Sequence, residues 1–300
     1  MRSFFKSRCS AVKAQGLAAR VLVGFFALLL LGGCTSTFFQ PDRRLVATPA
    51  ALGLAYESLR LRAADGTELF AWFLPARGEA RASVLFLHGN AENISTHFAN
   101  VAWMPAEGFN VLALDYRGYG GSAGTPSLAG LQLDIDAAMR ALLARGDPGR
   151  IVVFGQSLGG ALAIHYVAHS RFRDSVRALV VDSAFSDYER IGREKLAAAV
   201  ITWPFQWFAS LAIDNRYSPE ASVGLLSPIP VLFIHGDADS IVPLHHSQRL
   251  FELAGFPKEL WVVPGAGHIQ AIRSKELRAR LTEYLVRAVS QVHGQVAATP

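Results

Sequence analysis

Residues 150–161 read R-I-V-V-F-G-Q-S-L-G-G-A. The run 151–154 is β-branched and aromatic, short enough for a fully buried strand. Gly155-Gln156-Ser157-Leu158-Gly159 fits G-x-S-x-G, and residues 158–169 then carry helix-forming side chains. Strand, tight turn and helix in that order are the setting in which this pattern presents a serine at an exposed, strained apex. Gly155 and Gly159 flank the serine at two residues on either side and let strand and helix approach closely. The helix begins just after Ser157, so its free N–H groups and positive end face any negative charge that develops there. Ser157 is therefore the candidate nucleophile.

Charge is unevenly placed. The chain of 300 residues has a formal charge of +5. Arg2, Lys6, Arg8, Lys13 and Arg20 precede residue 35 with no acid among them, and the remaining 24 basic residues balance the 24 acidic ones. A neutral body gives no support to a nucleic-acid partner. The apolar run 21–31 is short for a membrane span, and Leu31-Gly32-Gly33-Cys34 follows it. This stretch resembles the bacterial lipobox. The resemblance implies a signal peptide over 1–33, cleavage before Cys34 and acylation of that cysteine with palmitate-type chains. It places the protein in the bacterial cell envelope. Thr35 after the cysteine favours the outer membrane, facing the periplasm. A simple inner-membrane anchor is the other reading. With Cys9 removed and Cys34 acylated, neither of the two cysteines is left for a disulfide or a metal thiolate.

Residues 34–54, with Pro41 and Pro49, read as a tether, 55–292 as one domain and 293–300 as a tail. Strand patterns at 56–61 and 68–74 flank Asp65-Gly66, a hairpin signal at the sheet edge. Further strands are expected at 83–87, 110–114, 151–154, 178–181, 231–234 and 260–263. Helices are expected at 94–107, 128–145, 158–169, 244–254 and 269–292. This alternation predicts an α/β fold with a mostly parallel sheet and helices on both faces. The insertion at about 185–226 is longer than one crossover helix needs and contains Trp203, Phe205, Trp207 and Phe208. It is placed to be a helical lid over a pocket, or to cover the sheet edge. No glycine-rich phosphate motif follows a strand, so no nucleotide is expected.

A serine nucleophile needs a base, and the base needs an orienting acid. His88, His235 and His268 each follow a strand. His88 and His235 precede glycine at strand ends and suit bracing of turns; His268, after Pro264-Gly265-Ala266-Gly267, suits the base. The acid belongs after the penultimate strand, where Asp237 and Asp239 alternate, and Asp182 is a third option. His165 and His169 lie four apart on a helix without a third ligand and read as helix surface. No metal or cofactor is expected.

The stretches His88-Gly89-Asn90-Ala91, Asp115-Tyr116-Arg117-Gly118-Tyr119-Gly120, 155–160, 235–243 and Gly267-His268 together resemble the α/β-hydrolase superfamily. Within it they are similar to the small BEM46-like and ABHD-type serine hydrolases. The resemblance spans roughly 56–290. It implies an α/β-hydrolase fold and puts the acid at Asp239. It also implies an oxyanion hole from the Leu158 N–H and that of Asn90 or Ala91, with Asn90 preferred. Asp115 and Arg117 become turn-tying residues. The expected activity is hydrolysis of carboxylic esters or thioesters, on a small acyl-ester or lipid-like substrate. The alternatives are a serine peptidase on the same fold and a catalytically silent binding lipoprotein.

Overall fold

The computed structural model describes residues 38–145, 150–197 and 215–290. In chain order the strands are β1 (Gln40–Pro41), β2 (Glu57–Arg62), β3 (Glu68–Leu74), β4 (Ala82–Leu87), β5 (Ala91–Glu92), β6 (Phe109–Asp115), β7 (Ile151–Gln156), β8 (Val176–Asp182), β9 (Val231–Gly236) and β10 (Lys258–Val263). The described helices are α1 (Ile94–His97), α2 (Leu128–Leu143), α3 (Leu158–His169), α4 (Tyr188–Ala197), α5 (Pro219–Ser222), α6 (His245–Leu253) and α7 (Lys275–Ser290). Eight strands form one sheet in the order β10-β9-β8-β7-β4-β6-β3-β2. The six from β10 to β6 run parallel, and β3 and β2 are antiparallel additions.

The strand sequences explain this architecture. β4 and β7 are buried at every position, as parallel strands covered on both faces must be. Successive side chains alternate between two cores. Leu85, Leu87, Val153, Val181 and Phe233 pack with α2 and α3 residues such as Leu131, Ile135 and Leu162. Val84, Phe86, Phe154, Val180 and Ile234 pack on the other face with Leu281, Tyr284 and Leu285 of α7. The chain returns across β4, so the ends of β4 and β7 border a crevice at the point where strand order reverses, where α/β sheets place ligands. Among the described residues no helix is long and apolar enough to cross a membrane.

Three expectations change. The 94–107 stretch is not one helix. α1 ends at His97, and short 3-10 turns follow at Phe98–Asn100 and Met104–Glu107, where Pro105 cannot continue an α-helix. The last helix starts at Lys275 because Ile269 has φ of 50° and a short turn follows it. Residues 38–54 are not a free tether: Phe39 is 5% exposed and belongs to the larger core. Two consecutive phenylalanines carry enough apolar surface to hold an otherwise irregular segment to the domain.

Candidate active site

Ser157 follows β7 at φ 53° and ψ −117°, a region costly for any side-chain-bearing residue, about 1–3 kcal/mol. The glycines around it make the turn sterically feasible. A Cβ on Gly155 would overlap the Gly159 carbonyl, and one on Gly159 would overlap the Leu87 carbonyl. One on Gly160 would approach Ala184 Cβ to 2.8 Å. The Ser157 N–H donates to the Asp182 carbonyl at 2.8 Å, which ties the elbow to β8. α3 starts at Leu158, so its first N–H groups lack intrahelical partners.

His268 and Asp239 come from the loops after β10 and β9, neighbouring strands in register through Val263 and Gly236. His268 Nδ1 lies 2.7 Å from Asp239 Oδ2. The Asp239 Oδ1 accepts the N–H groups of Ile241 and Val242 at 2.8 and 2.9 Å. Burial works against the Asp239 charge. Hydrogen bonds from His235, His268 and the Val242 N–H outweigh it and hold the carboxyl well below its ordinary range. His235 is fully buried and braces this loop: its Nε2 is shared between the Val242 carbonyl at 2.7 Å and Asp239 Oδ2 at 3.3 Å, and its Nδ1 pairs with Ser247 Oγ at 2.7 Å.

The other two aspartates face elsewhere. Asp237 Oδ1 accepts the Gly265 N–H at 2.6 Å, joining the loop after β9 to the loop after β10. Asp182 is fully buried under the elbow, where burial pushes its carboxyl up, and it accepts from Gln156 Nε2 at 2.8 Å and Ser183 Oγ at 3.0 Å. Ser183 Oγ in turn accepts the Ile269 N–H at 3.2 Å, beside His268. Among the described residues, the four non-glycine residues with positive φ, Glu92, Ser157, Ser183 and Ile269, all lie around this site.

The loop after β4 lies over the serine: a Cβ on Gly89 would sit 3.6 Å from Ser157 Cβ. Its carbonyls are occupied by side chains. Tyr116 Oη donates to the His88 carbonyl at 3.0 Å, His88 Nδ1 to the Gly89 carbonyl at 2.7 Å, and His97 Nε2 to the Ala91 carbonyl at 3.0 Å. Burial lowers the pKa of both His88 and His97 and keeps them neutral. His97 was not singled out from the sequence, because a polar residue on a short helix carries no periodic signal.

A family model described as serine aminopeptidase, S33 matches residues 78–223. Among curated proteins, the chain is 34% identical to the uncharacterized protein YfhR of Escherichia coli K12, over 90% of this chain and 93% of that one. It is 37% identical to the alpha/beta hydrolase domain-containing protein WAV2 of Arabidopsis thaliana, over 69% of each. It is 32% identical to protein bem46 of Schizosaccharomyces pombe, over 75% of this chain and 74% of that one. The chain belongs to the α/β-hydrolase superfamily. A solved Pyrococcus furiosus esterase, Pf2001, superposes on this α/β-hydrolase with a TM-score of 0.65 at 25% identity, covering 83% of this chain and 96% of that one.

The turn-tying residues of this α/β-hydrolase sit beside the loops just described. The Asp115 carboxylate accepts the Ile94 and Gly121 N–H groups at 2.9 and 3.0 Å, and burial pushes its pKa up to about 6. Arg117 binds Asp134 at 2.7 Å and Asp65 at 2.7 Å, joining α2 to the β2–β3 turn. Glu194, His245 and His246 bring three ligand-type atoms together. His246 Nδ1, however, accepts the Ser186 backbone N–H at 3.1 Å, so the proton sits on Nε2 and goes to Glu194 at 3.0 Å. That tautomer has no lone pair to give a metal, and the trio instead fastens α4 to α6. His165 and His169 share the Ser222 hydroxyl at 3.1 and 3.3 Å; His169 is exposed on the helix surface, whereas His165 is half-buried against α5. A cleft of about 550 Å³ at the base of the insertion is lined by charge, including Asp187, Arg190, Arg193 and Glu220. Trp203, Phe205, Trp207 and Phe208 lie outside the described residues, as does Cys34.

Proposed function

We propose that this α/β-hydrolase is a serine hydrolase that cleaves carboxylic esters or thioesters through Ser157, His268 and Asp239. The observation that carries the reading is the 2.7 Å contact between His268 Nδ1 and an ionised Asp239. It fixes the proton on Nδ1 and leaves Nε2 as the base. Ser157 Oγ attacks the acyl carbonyl carbon and passes its proton to His268 Nε2. The oxyanion is met by the Leu158 N–H and by that of Asn90. The leaving alkoxide or thiolate takes the proton back, which gives an acyl-enzyme and free alcohol or thiol. Water, deprotonated by the same imidazole, then releases the acid and regenerates the serine. No residue in this sequence of steps calls for a metal or cofactor.

A fluorophosphonate probe and a panel of acyl esters from acetyl to dodecanoyl test this reading. The wild type should be labelled at Ser157 and turn over esters, with octanoyl favoured over acetyl if the insertion forms an apolar acyl wall. Phe38, Phe185 and Tyr188 already make an aromatic cluster at the base of that insertion, with the Phe185 and Tyr188 centroids 6.0 and 5.7 Å from that of Phe38. An unlabelled wild type sinks the hydrolase reading and favours a silent binding protein. The serine aminopeptidase family match supports a second reading, peptide-bond hydrolysis by the same groups. Release of an N-terminal residue from peptides, with esters poorly used, would establish it.

The lipobox-like sequence supports a lipid anchor at Cys34 in the outer membrane, facing the periplasm. With Phe38 docked on the domain, the chain from Cys34 to Phe38 spans at most about 14 Å. The catalytic domain would then sit directly on the membrane surface. Wild-type protein should fractionate with membranes and need detergent for release, because more than one acyl chain anchors stably. Cys34→Ser should remain uncleaved or become soluble, and soluble wild type would count against the anchor.

A further inference from the structure

We infer that residues 38–46 form a strap that positions the oxyanion loop, with the Asn90 side chain as the positioning group between them. This inference rests on the reading of Ser157 as nucleophile.

The Asn90 carboxamide is spent on holding the strap. Its Oδ1 accepts the Gln40 N–H at 3.2 Å and the Tyr119 hydroxyl at 2.9 Å, and its Nδ2 donates to the Phe38 carbonyl at 2.7 Å. A backbone N–H must donate and a carbonyl must accept, so these partners fix the amide orientation. Only a short carboxamide satisfies both; an aspartate has nothing to donate to Phe38. The strap then continues along the loop. Gln40 and Pro41 pair with Ala91 and Glu92 as a parallel ladder. Asn93 Nδ2 donates to the Asp42 and Arg44 carbonyls at 2.9 and 2.8 Å, and the Val46 N–H donates to Ser95 Oγ at 2.9 Å.

These bonds bear on the site because of what lies beside Asn90. Gly89 borders Ser157, and the carbonyls of His88, Gly89 and Ala91 are all taken by side-chain donors. With those carbonyls tied away, backbone N–H groups are left for the oxyanion. Glu92 holds φ of 64°, a conformation that persists only where neighbours over-determine it. The strap provides that constraint, and it is itself anchored through buried Phe39 and through Phe38 against Phe185 and Tyr188. Loss of the strap lets the loop relax, and an oxyanion donor displaced by about 1 Å costs on the order of 10²-fold in rate.

Full-length Asn90→Ala, Asn90→Asp, Phe38→Ala and Phe38→Leu are compared for kcat, KM, thermal midpoint and inhibition by an alkyl boronic acid, which forms a tetrahedral adduct on a serine. Both Asn90 variants should lose about 10²-fold in kcat, with KM little changed, boronate affinity falling in parallel and the midpoint within a few degrees of wild type. Phe38→Ala should show a smaller loss of the same kind, and Phe38→Leu should restore it. Unchanged kcat in the Asn90 variants, or midpoints that fall while boronate affinity is kept, would overturn the strap's role. A wild type that neither labels with fluorophosphonate nor turns over esters would instead overturn the hydrolase reading beneath it.

Discussion

Ser157→Ala is expected to lower turnover of an activated ester by about 10⁴–10⁶-fold while leaving the fold intact. The substitution removes one oxygen and keeps Cβ, so the backbone at φ 53° meets the same steric environment as before. The bond from the residue-157 N–H to the Asp182 carbonyl is also untouched. What disappears is the atom that attacks. Water held by His268 and the oxyanion donors can still give slow hydrolysis, which accounts for a residual rate above background. The measurement is steady-state kinetics beside a thermal melt. Retention of more than about a tenth of wild-type turnover would remove Ser157 from the nucleophile's role, because losses of several orders of magnitude accompany its deletion in triads.

Asp239→Asn should cost about 10⁴-fold in kcat, and the local hydrogen bonds give the reason. The Ile241 and Val242 N–H groups both point at Oδ1. An asparagine must therefore place its carbonyl oxygen there, which turns its NH₂ toward His268. That amide then donates to Nδ1, and the imidazole proton moves to Nε2, where it blocks the base. Asp237→Asn should lose less than about tenfold, since Asp237 only holds the Gly265 N–H. Kinetics on both variants decide the point: the reverse order would transfer the acid's role to Asp237, and small effects in both would point to Asp182.

The fold was readable because its strands carry their own signature. Continuous apolar runs such as 151–154 leave little choice but a strand buried on both faces, and each run recurs after a helical stretch. The G-x-S-x-G turn was readable for a steric reason, since Gly155 and Gly159 make sense only where backbone meets backbone. The carboxylate that pairs with His268 was less readable. Asp237 and Asp239 alternate along one loop, and the chain alone does not say which carboxylate the Ile241 and Val242 amides capture. The docking of residues 38–46 is not legible in the sequence because Pro41 and Pro49 suggest an extended linker, and its stabilising bonds run to side chains some 50 residues away. The clues available were the paired Phe38 and Phe39 and two asparagines in one loop. The break in the 94–107 helix was signalled by Pro105.

The separation of the site's parts along the chain has a consequence for biogenesis. Residues 38–46, the loop after β4 and Ser157 all precede residue 158, whereas Asp239 and His268 follow residue 238, in the loops after the two strands at one edge of the sheet. On the proposed mechanism, a chain emerging from its amino end therefore presents the Ser157 hydroxyl long before the His268 imidazole that would activate it. At synthesis rates of about 5–20 residues per second, the interval is on the order of ten seconds. On that mechanism an unfinished or carboxy-terminally clipped chain is expected to be inert toward acyl groups around it. The proposed triad is assembled only once the last strand has completed the sheet.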